Sequence, residues 1–278
     1  MSALPLSDRV ALVSGSGRGI GREIALKLAS AGASIVVNDL DKDVAEQTAN
    51  DITANGGKAT VCAGSVTDDD FGDRFVSTAV NEFGGLHIIV NNAGYTWDNV
   101  VQKMSDQQWD DILDVHLKAP FRILRAAQPV ISKAVKAERA AGGDRITRKV
   151  VNISSIAGTG GNVGQANYSS AKAGVTGLTK ALAKEWGRYD VTVNCVAFGL
   201  IRTRLTEAAA GGDSKIDVAG RQIAVGVNPD LLSQMEQMIP LGRAGTPSEA
   251  AGSVYLFCIP ESDYVSGQVL LCGGGFNN

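Results

Sequence analysis

The chain has 278 residues, 26 of them Lys or Arg and 29 Asp or Glu, for a formal net charge of −3. With 44% hydrophobic and 20% charged residues it has the composition of a folded globular protein, not a disordered one, and it lacks the basic excess of a nucleic-acid binder. Its 33 glycines, about 12% of the chain against roughly 7% in ordinary proteins, follow no collagen period and so mark tight turns and close backbone approaches.

The first apolar run, Val10–Ser14, leads directly into Gly15-Ser16-Gly17-Arg18-Gly19-Ile20-Gly21 and then into a helical stretch, Gly19–Ala31. A strand, a glycine turn and a helix in that order suit a diphosphate. The helix N-terminus offers backbone N–H groups, and a side chain at the turn would hold the phosphates away. The second strand, Ser34–Asp39, ends in Asn38-Asp39, eighteen residues past Gly21. An acidic side chain there can accept two hydrogen bonds from an adenosine ribose and repels a 2′-phosphate, so NAD(H) is expected in preference to NADP(H). Arg18 is the nearby cation that could offset that repulsion.

Helix Lys42–Asn55, strand Ala59–Ala63, helix Asp68–Phe83 and strand His87–Asn91 follow. One long helix is predicted over Asp106–Arg139, and Lys133–Arg148 is read as its solvated extension followed by a loop. Strand Lys149–Ser154 runs to Ser155, helix Tyr168–Arg188 carries Tyr168 and Lys172, and strand Val191–Val196 follows. Positions i and i+4 share a helix face, so the Lys172 ammonium can sit beside the Tyr168 phenol. That charge, with a positive nicotinamide nearby, would bring the phenol pKa toward neutral. The tyrosine could then exchange a hydroxyl proton while hydride moves to or from the cofactor. Ser155 would hydrogen-bond the substrate oxygen. The segment Leu205–Ile239 is long enough to be a substrate lid, and helix Pro247–Cys258 and strand Gln268–Leu271 close the chain.

Seven apolar strands joined by helices predict a single α/β domain over residues 1–278, a Rossmann-like doubly wound parallel sheet in the order 3-2-1-4-5-6-7. The four cysteines, Cys62, Cys195, Cys258 and Cys272, form no CxxC pair and read as free thiols, most of them in apolar runs. The two histidines, His87 and His116, stand far apart, so no metal site is expected. No apolar run reaches the ~18 residues of a membrane span and the first residues carry no signal pattern, which points to the cytoplasm and to no membrane partner.

The glycine turn, Asn91-Asn92-Ala93-Gly94, Ser155, Tyr168 and Lys172 together resemble the short-chain dehydrogenase/reductase family, from Asp8 to Phe276. The resemblance implies a nicotinamide cofactor and a homotetramer, with Tyr168 as acid/base, Ser155 orienting the substrate and Lys172 binding the nicotinamide ribose. It places Asn91 near the cofactor's adenosine side, counts Asn92, Ala93 and Gly94 among the cofactor-binding residues, and sets Ser65 and Val66 near adenine, where Asp-Val often stands. Ile201 and Thr203 match the segment that contacts carboxamide and phosphates. His116 stands where the family usually has an asparagine supporting a water relay from the lysine. An imidazole can both donate and accept, and would titrate near pH 6–7; a histidine merely packed between helices is the other reading. Phe198-Gly199 replaces the usual Pro-Gly, and Cys272 replaces an acidic residue.

Two narrower likenesses concern substrate. Gly161–Tyr168 resembles the 3-oxoacyl-carrier-protein reductases, whereas Val37–Leu40 and Val115-His116-Leu117 resemble NAD-linked (3R)-hydroxyacyl-CoA dehydrogenases. Both imply a secondary alcohol or ketone, most simply a 3-hydroxyacyl/3-oxoacyl thioester. A hydroxysteroid substrate, an NADPH-dependent reductase and a non-catalytic dinucleotide sensor remain as alternatives.

Overall fold

The computed structural model describes residues 4–143, 145–203, 215–218, 220–224 and 229–276. Seven strands form one all-parallel sheet: β1 (Val10–Val13), β2 (Ser34–Val37), β3 (Lys58–Val61), β4 (Ile88–Asn91), β5 (Arg148–Ser155), β6 (Val191–Phe198) and, last in the chain, β9 (Val269–Cys272). Their spatial order, β3-β2-β1-β4-β5-β6-β9, is the predicted one. Helices α1 (Gly19–Ser30), α2 (Lys42–Ala54) and α9 (Pro247–Tyr255) accompany one core, and α3 (Phe71–Phe83), α5 (Ala119–Ala140) and α7 (Ala166–Trp186) the other.

Alternation along the strands divides the core in two. Ala11 and Val13 pack with Ile24, Leu28 and Val254, while Val10 and Leu12 pack with Phe71, Phe75 and Ile123. A strand covered on both faces favours apolar residues at every position, which is why β1, β2 and β4 are nearly continuous Val/Ile/Leu runs. The predicted free thiols are unpaired, Cys62, Cys195 and Cys258 being buried and Cys272 half-buried.

Three segments differ from expectation. The long helix is interrupted: α4 (Asp106–Leu113) leads into a π-helical turn, Asp114–Lys118, before α5 begins. The basic run after α5 is not all solvated, since Arg148 starts β5 only 2% exposed, with Glu138 accepting from Nη1 at 3.1 Å and Nη2 at 2.5 Å. A buried guanidinium needs such a paired acceptor. The expected lid, 205–239, contains an antiparallel hairpin, β7 (Lys215–Val218) with β8 (Arg221–Ala224), then α8 (Pro229–Met238). Its residues 205–214, 219 and 225–228 lie outside the described residues.

At the N-terminal edge of the sheet, the other histidine is structural. His87 Nδ1 accepts the Val10 backbone N–H at 3.1 Å, and burial, reinforced by Arg148 and Arg9, lowers its pKa to about 4. Because the folded pKa lies below the unfolded value of about 6.5, the unfolded chain binds more protons between these limits. This contribution, of order 3 kcal/mol, is therefore complete above pH 6.5 and lost as pH falls toward 4. Denaturant melts at pH 7.5 and 4.5 should show that loss, and His87→Gln should flatten part of the slope.

Candidate active site

Every predicted site motif lies at or just beyond the C-terminal ends of β1, β2, β3, β4, β5 and β6, or on the turns and helices that follow, the edge where open parallel sheets bind ligands. The glycine turn is built around close approaches. A Cβ on Gly15 would lie 2.7 Å from Ala93 Cα, one on Gly17 2.7 Å from Asp39 Oδ2, and one on Gly21 2.0 Å from the Gly15 carbonyl oxygen. The turn is also tied to both neighbouring strands. The Gly15 N–H donates to Asn38 Oδ1 at 3.1 Å, and the Asn38 amide donates to Cys62 and Gly64 carbonyls. Asn92 Nδ2 donates to the Ser14 and Gly15 carbonyls at 3.0 Å, while Ser14 Oγ accepts from the Asn92 and Ala93 N–H groups.

Helix α1 opens with no side-chain cap on Arg18 and no acidic residue in its first turn. The orphan N–H groups of a helix start thus carry no protein carboxylate, and no side chain of Gly19 obstructs them, as the diphosphate of a dinucleotide requires. Asp39 is oriented toward this turn with its side chain 13% exposed. Arg18 is drawn away from a free position. Its Nη2 donates to Asp41 Oδ2 at 3.2 Å and stands 3.7 Å from Asp39 Oδ1. The two residues expected near adenine are placed more modestly: Ser65 Oγ is engaged with Thr67, and Val66 is buried in the core. Ile201 is buried and pairs with Gly245, with half-buried Thr203 two residues on.

The second half of the site assembles on α7. Tyr168 is set by its neighbour Asn167, fully buried, whose Nδ2 donates to the Trp97 and Gln108 carbonyls at 3.2 and 2.9 Å and whose Oδ1 accepts the Tyr168 N–H at 2.8 Å. Lys172 is 4% exposed, with Nζ donating to the Ile153 carbonyl at 2.8 Å and lying 5.5 Å from the Tyr168 ring centroid. An ammonium has three donors, so two remain for ribose hydroxyls. Gly158, in the short helix α6 (Ala157–Gly160), lets that helix rest on α7, since a Cβ there would be 2.6 Å from the Lys172 carbonyl carbon.

The expected acidity of Tyr168 is reversed in the protein alone. Burial pushes the phenol up to about 12, the neighbouring Ser155 hydroxyl pulls the other way, and the Asp98 charge adds to the rise. Burial also lowers Lys172 to about 8, so at pH 7 the lysine is still mostly cationic and the phenol holds its proton.

His116 is corrected more sharply. It is 4% exposed, and burial with the Lys172 charge takes its pKa well below the ordinary value, so it does not titrate near pH 6–7. Its Nε2 lies 2.7 Å from the Tyr95 carbonyl, which can only accept, so Nε2 carries the proton. Nδ1 is therefore an acceptor, buried and without a partner. The ring stands edge-on to Tyr168 with centroids 5.0 Å apart at 89°, and a Cβ on Gly94 would lie 2.0 Å from His116 Cε1. The π-helical turn places this residue; such turns occur often at functional sites.

Below the site a polar ladder crosses the sheet: Asn91 Nδ2 donates to Asn152 Oδ1 at 2.8 Å, and Asn152 Nδ2 to Thr179 Oγ1 at 2.9 Å. Asn38, Asn152 and Asn167 were not anticipated as site residues. The available signal was a polar residue ending or interrupting an apolar run, which a surface turn also produces.

A phosphate cradle on one side of the sheet's C-terminal edge and a Tyr–Lys pair beside a serine on the other define a nicotinamide-dependent oxidoreductase. A family model described as enoyl-(acyl carrier protein) reductase matches residues 15–277, and the chain belongs to the short-chain dehydrogenase/reductase family. It is an NAD(P)-dependent oxidoreductase acting on CH–OH/C=O groups. It is 36% identical over 266 residues to the 3-oxoacyl-acyl-carrier-protein reductase FabG of Staphylococcus aureus (strain Mu50), covering 95% of this chain and 96% of that one. It is likewise 36% identical over 272 residues to the 3-oxoacyl-acyl-carrier-protein reductase of Synechocystis, with 97% of each chain covered. The FabG of Vibrio cholerae serotype O1 is 35% identical over 270 residues, covering 97% of this chain and 98% of that one. Among the described residues no helix is long and apolar enough to cross a membrane.

Proposed function

We propose that this enzyme interconverts 3-oxoacyl and 3-hydroxyacyl thioesters with NAD(H). The observation that carries the reaction is the pairing of Tyr168 with Lys172, whose Nζ lies 5.5 Å from the phenol ring centroid, beside Ser155 at the end of β5; the Tyr168 and Ser155 hydroxyls suit one carbonyl oxygen. That pairing supports reduction at a carbonyl over reduction at the carbon–carbon double bond named in the family model's description.

When bound, the nicotinamide supplies hydride to the carbonyl carbon or takes it from the alcohol. In the reductive direction Tyr168 gives its proton to the substrate oxygen, so the carbonyl gains one hydride and one proton and becomes the alcohol. The high phenol pKa keeps that proton in place at rest. Ser155 holds the same oxygen by a hydrogen bond. Lys172 holds the ribose hydroxyls and offers positive charge to the phenolate left behind. Glycines 15, 17, 19 and 21 with Arg18 and Ile20 hold the diphosphate, Asn92, Ala93 and Gly94 border the adenosine side, and Ser65 and Val66 lie toward adenine. Ile201 and Thr203 border the nicotinamide. His116 acts as a fixed neutral acceptor beside Tyr168, in place of a protonatable relay.

NAD(H) is preferred on the charge balance at the second strand. Asp39 is turned to the cradle, and Arg18 is already shared with Asp41, leaving it little to offer a 2′-phosphate. The relatives' names favour a second reading, an NADPH-dependent reductase whose acyl group rides on a carrier protein. A cytoplasmic homotetramer fits the family likeness, and exposed Trp109 and Phe121 provide apolar surface for assembly.

Steady-state assays with acetoacetyl-CoA and NADH or NADPH in parallel test both points. Turnover faster with NADH is expected. No turnover with any 3-oxoacyl thioester removes the substrate proposal, and a preference for NADPH moves the enzyme to the second reading.

A further inference from the structure

The chain between Ser155 and Tyr168 lies along the segment that leaves β4. The Asn99 N–H donates to the Gly164 carbonyl at 2.8 Å, and Asn99 bridges Gln165 in parallel register. Asn167 Nδ2 reaches the Trp97 carbonyl at 3.2 Å. In the middle of this double wall, Gln165 Nε2 donates to Asp98 Oδ2 at 2.7 Å, and Gln165 Oε1 accepts from Asn162 Nδ2 at 2.9 Å. Asp98 is the only charged residue in 92–102 or in 156–171. The rim beside Tyr168 is thus uncharged except at one carboxylate, which two amides hold in place.

That charge is not neutralised by a neighbour. Among the described residues Asp98 forms no ion pair, and Arg221, whose guanidinium carbon stands 5.8 Å from the Trp97 ring centroid, is paired with Asp111. Asp98 is an exposed residue; packing around its carboxylate raises the pKa, and the Gln165 hydrogen bond favours the ionised form. The charge reaches the reacting oxygen, because it adds to the rise in the Tyr168 phenol pKa. A field that opposes a phenolate opposes any other anion brought to the same point.

We propose that Asp98 is a charge filter at the mouth of the Tyr168 pocket: it repels compounds that carry a free carboxylate beside the reacting carbonyl and confines the enzyme to neutral acyl derivatives. Specificity of this kind comes from an unfavourable charge set against the wrong ligand, with no added contact to the right one. A free 3-oxo acid has its carboxylate only two bonds from the carbonyl carbon that takes hydride. An ester or thioester is neutral at that position, and the exposed side chains of Val101 and Val163 suit the apolar chain it brings. The filter rests on the 3-oxoacyl reading of the site and names the feature that separates the thioester from its free acid.

Ethyl acetoacetate and acetoacetate share one ketone and differ in charge, and with NAD⁺ bound neither can be reduced. Their affinities for the enzyme–NAD⁺ complex therefore test the filter without turnover. The ester should bind wild type about tenfold more tightly than the acid, the effect of two like charges near a protein surface. Asp98→Asn keeps an oxygen for Gln165, so acetoacetate should gain about tenfold while the ester stays within about twofold. Asp98→Glu should bring the wild-type ratio back, whereas a merely structural role would move both ligands together. Equal affinities in wild type, a parallel change of both in Asp98→Asn, or no binding of the ester overturns the filter. Steady-state rates with NADH separate it from the reading beneath it. Reduction of the ester but of no thioester removes the thioester and keeps the filter. Reduction of acetoacetyl-CoA and acetoacetate with equal kcat/KM keeps the thioester and removes the filter.

Discussion

Tyr168→Phe is expected to reduce turnover by a factor of about 10²–10⁴, the span contributed by a positioned acid or base, while NADH binding stays nearly unchanged. The substitution removes one oxygen and little else. The ring still packs edge-on against His116, and the backbone is still held by Asn167 Oδ1. Ser155 Oγ keeps the Ala157 N–H that it accepts at 3.2 Å, so loss of the phenol does not strand it. Rates under saturating substrate, with binding followed by NADH fluorescence, separate the two effects. A variant retaining more than a tenth of the rate would remove Tyr168 from proton transfer, and a large loss of cofactor binding would make its role structural.

Gly21→Ala is expected to weaken dinucleotide binding about tenfold or more and to cost about 1–3 kcal/mol of stability, as overpacking does. Two effects oppose each other here. Alanine gains up to about 1 kcal/mol over glycine inside a helix. Against this, the new Cβ would lie 2.0 Å from the Gly15 carbonyl oxygen and 2.4 Å from Asn92 Nδ2. Those two atoms are themselves hydrogen-bonded at 3.0 Å, so neither can retreat without opening the tie between the glycine turn and β4. Steric repulsion wins. Gly177→Ala, in the interior of α7 with no atom within 4 Å of the added Cβ, is the control, and it should leave binding intact with equal or higher stability. Thermal melts and NADH titrations of both variants check the pair. Equal affinity in Gly21→Ala and wild type would show that the turn does not cradle the diphosphate.

The centre of the sheet is legible because β1, β2 and β4 are covered on both faces and are almost wholly apolar, with turn glycines marking the ends. Tyr168 and Lys172 were legible because their spacing maps to one helix face. What escaped depends on distant partners. The acidity of Tyr168 is decided by burial among segments far away in the chain, and the motif carries no information about water exclusion. The state of His116 is set by the Tyr95 carbonyl, twenty-one residues back, and by the space that Gly94 leaves. Asn38 and Asn167 look like turn residues in isolation, yet their amides each serve more than one strand or segment. The hairpin within 205–239 is not legible in the sequence because, among the described residues, its strands pair with each other and need no long apolar run.

The π-helical turn at Asp114–Lys118 has a consequence for how this enzyme can be altered. A turn closed by i→i+5 bonds holds about one residue more than an α-turn, and one residue is about 100° of rotation. The turn therefore sets α4 and α5 in different phases of one continuous rod. The phase ahead of it serves Asn167, and the turn itself sets His116 against Tyr168. The phase behind it keeps Ile123, Leu124, Ala127 and Ile131 against the sheet. Shortening the turn by one residue would bring the rod back into a single phase, and either the imidazole or that apolar stripe would swing away from its partner. Side-chain substitutions leave the phase as it is; only a change in chain length can reset it.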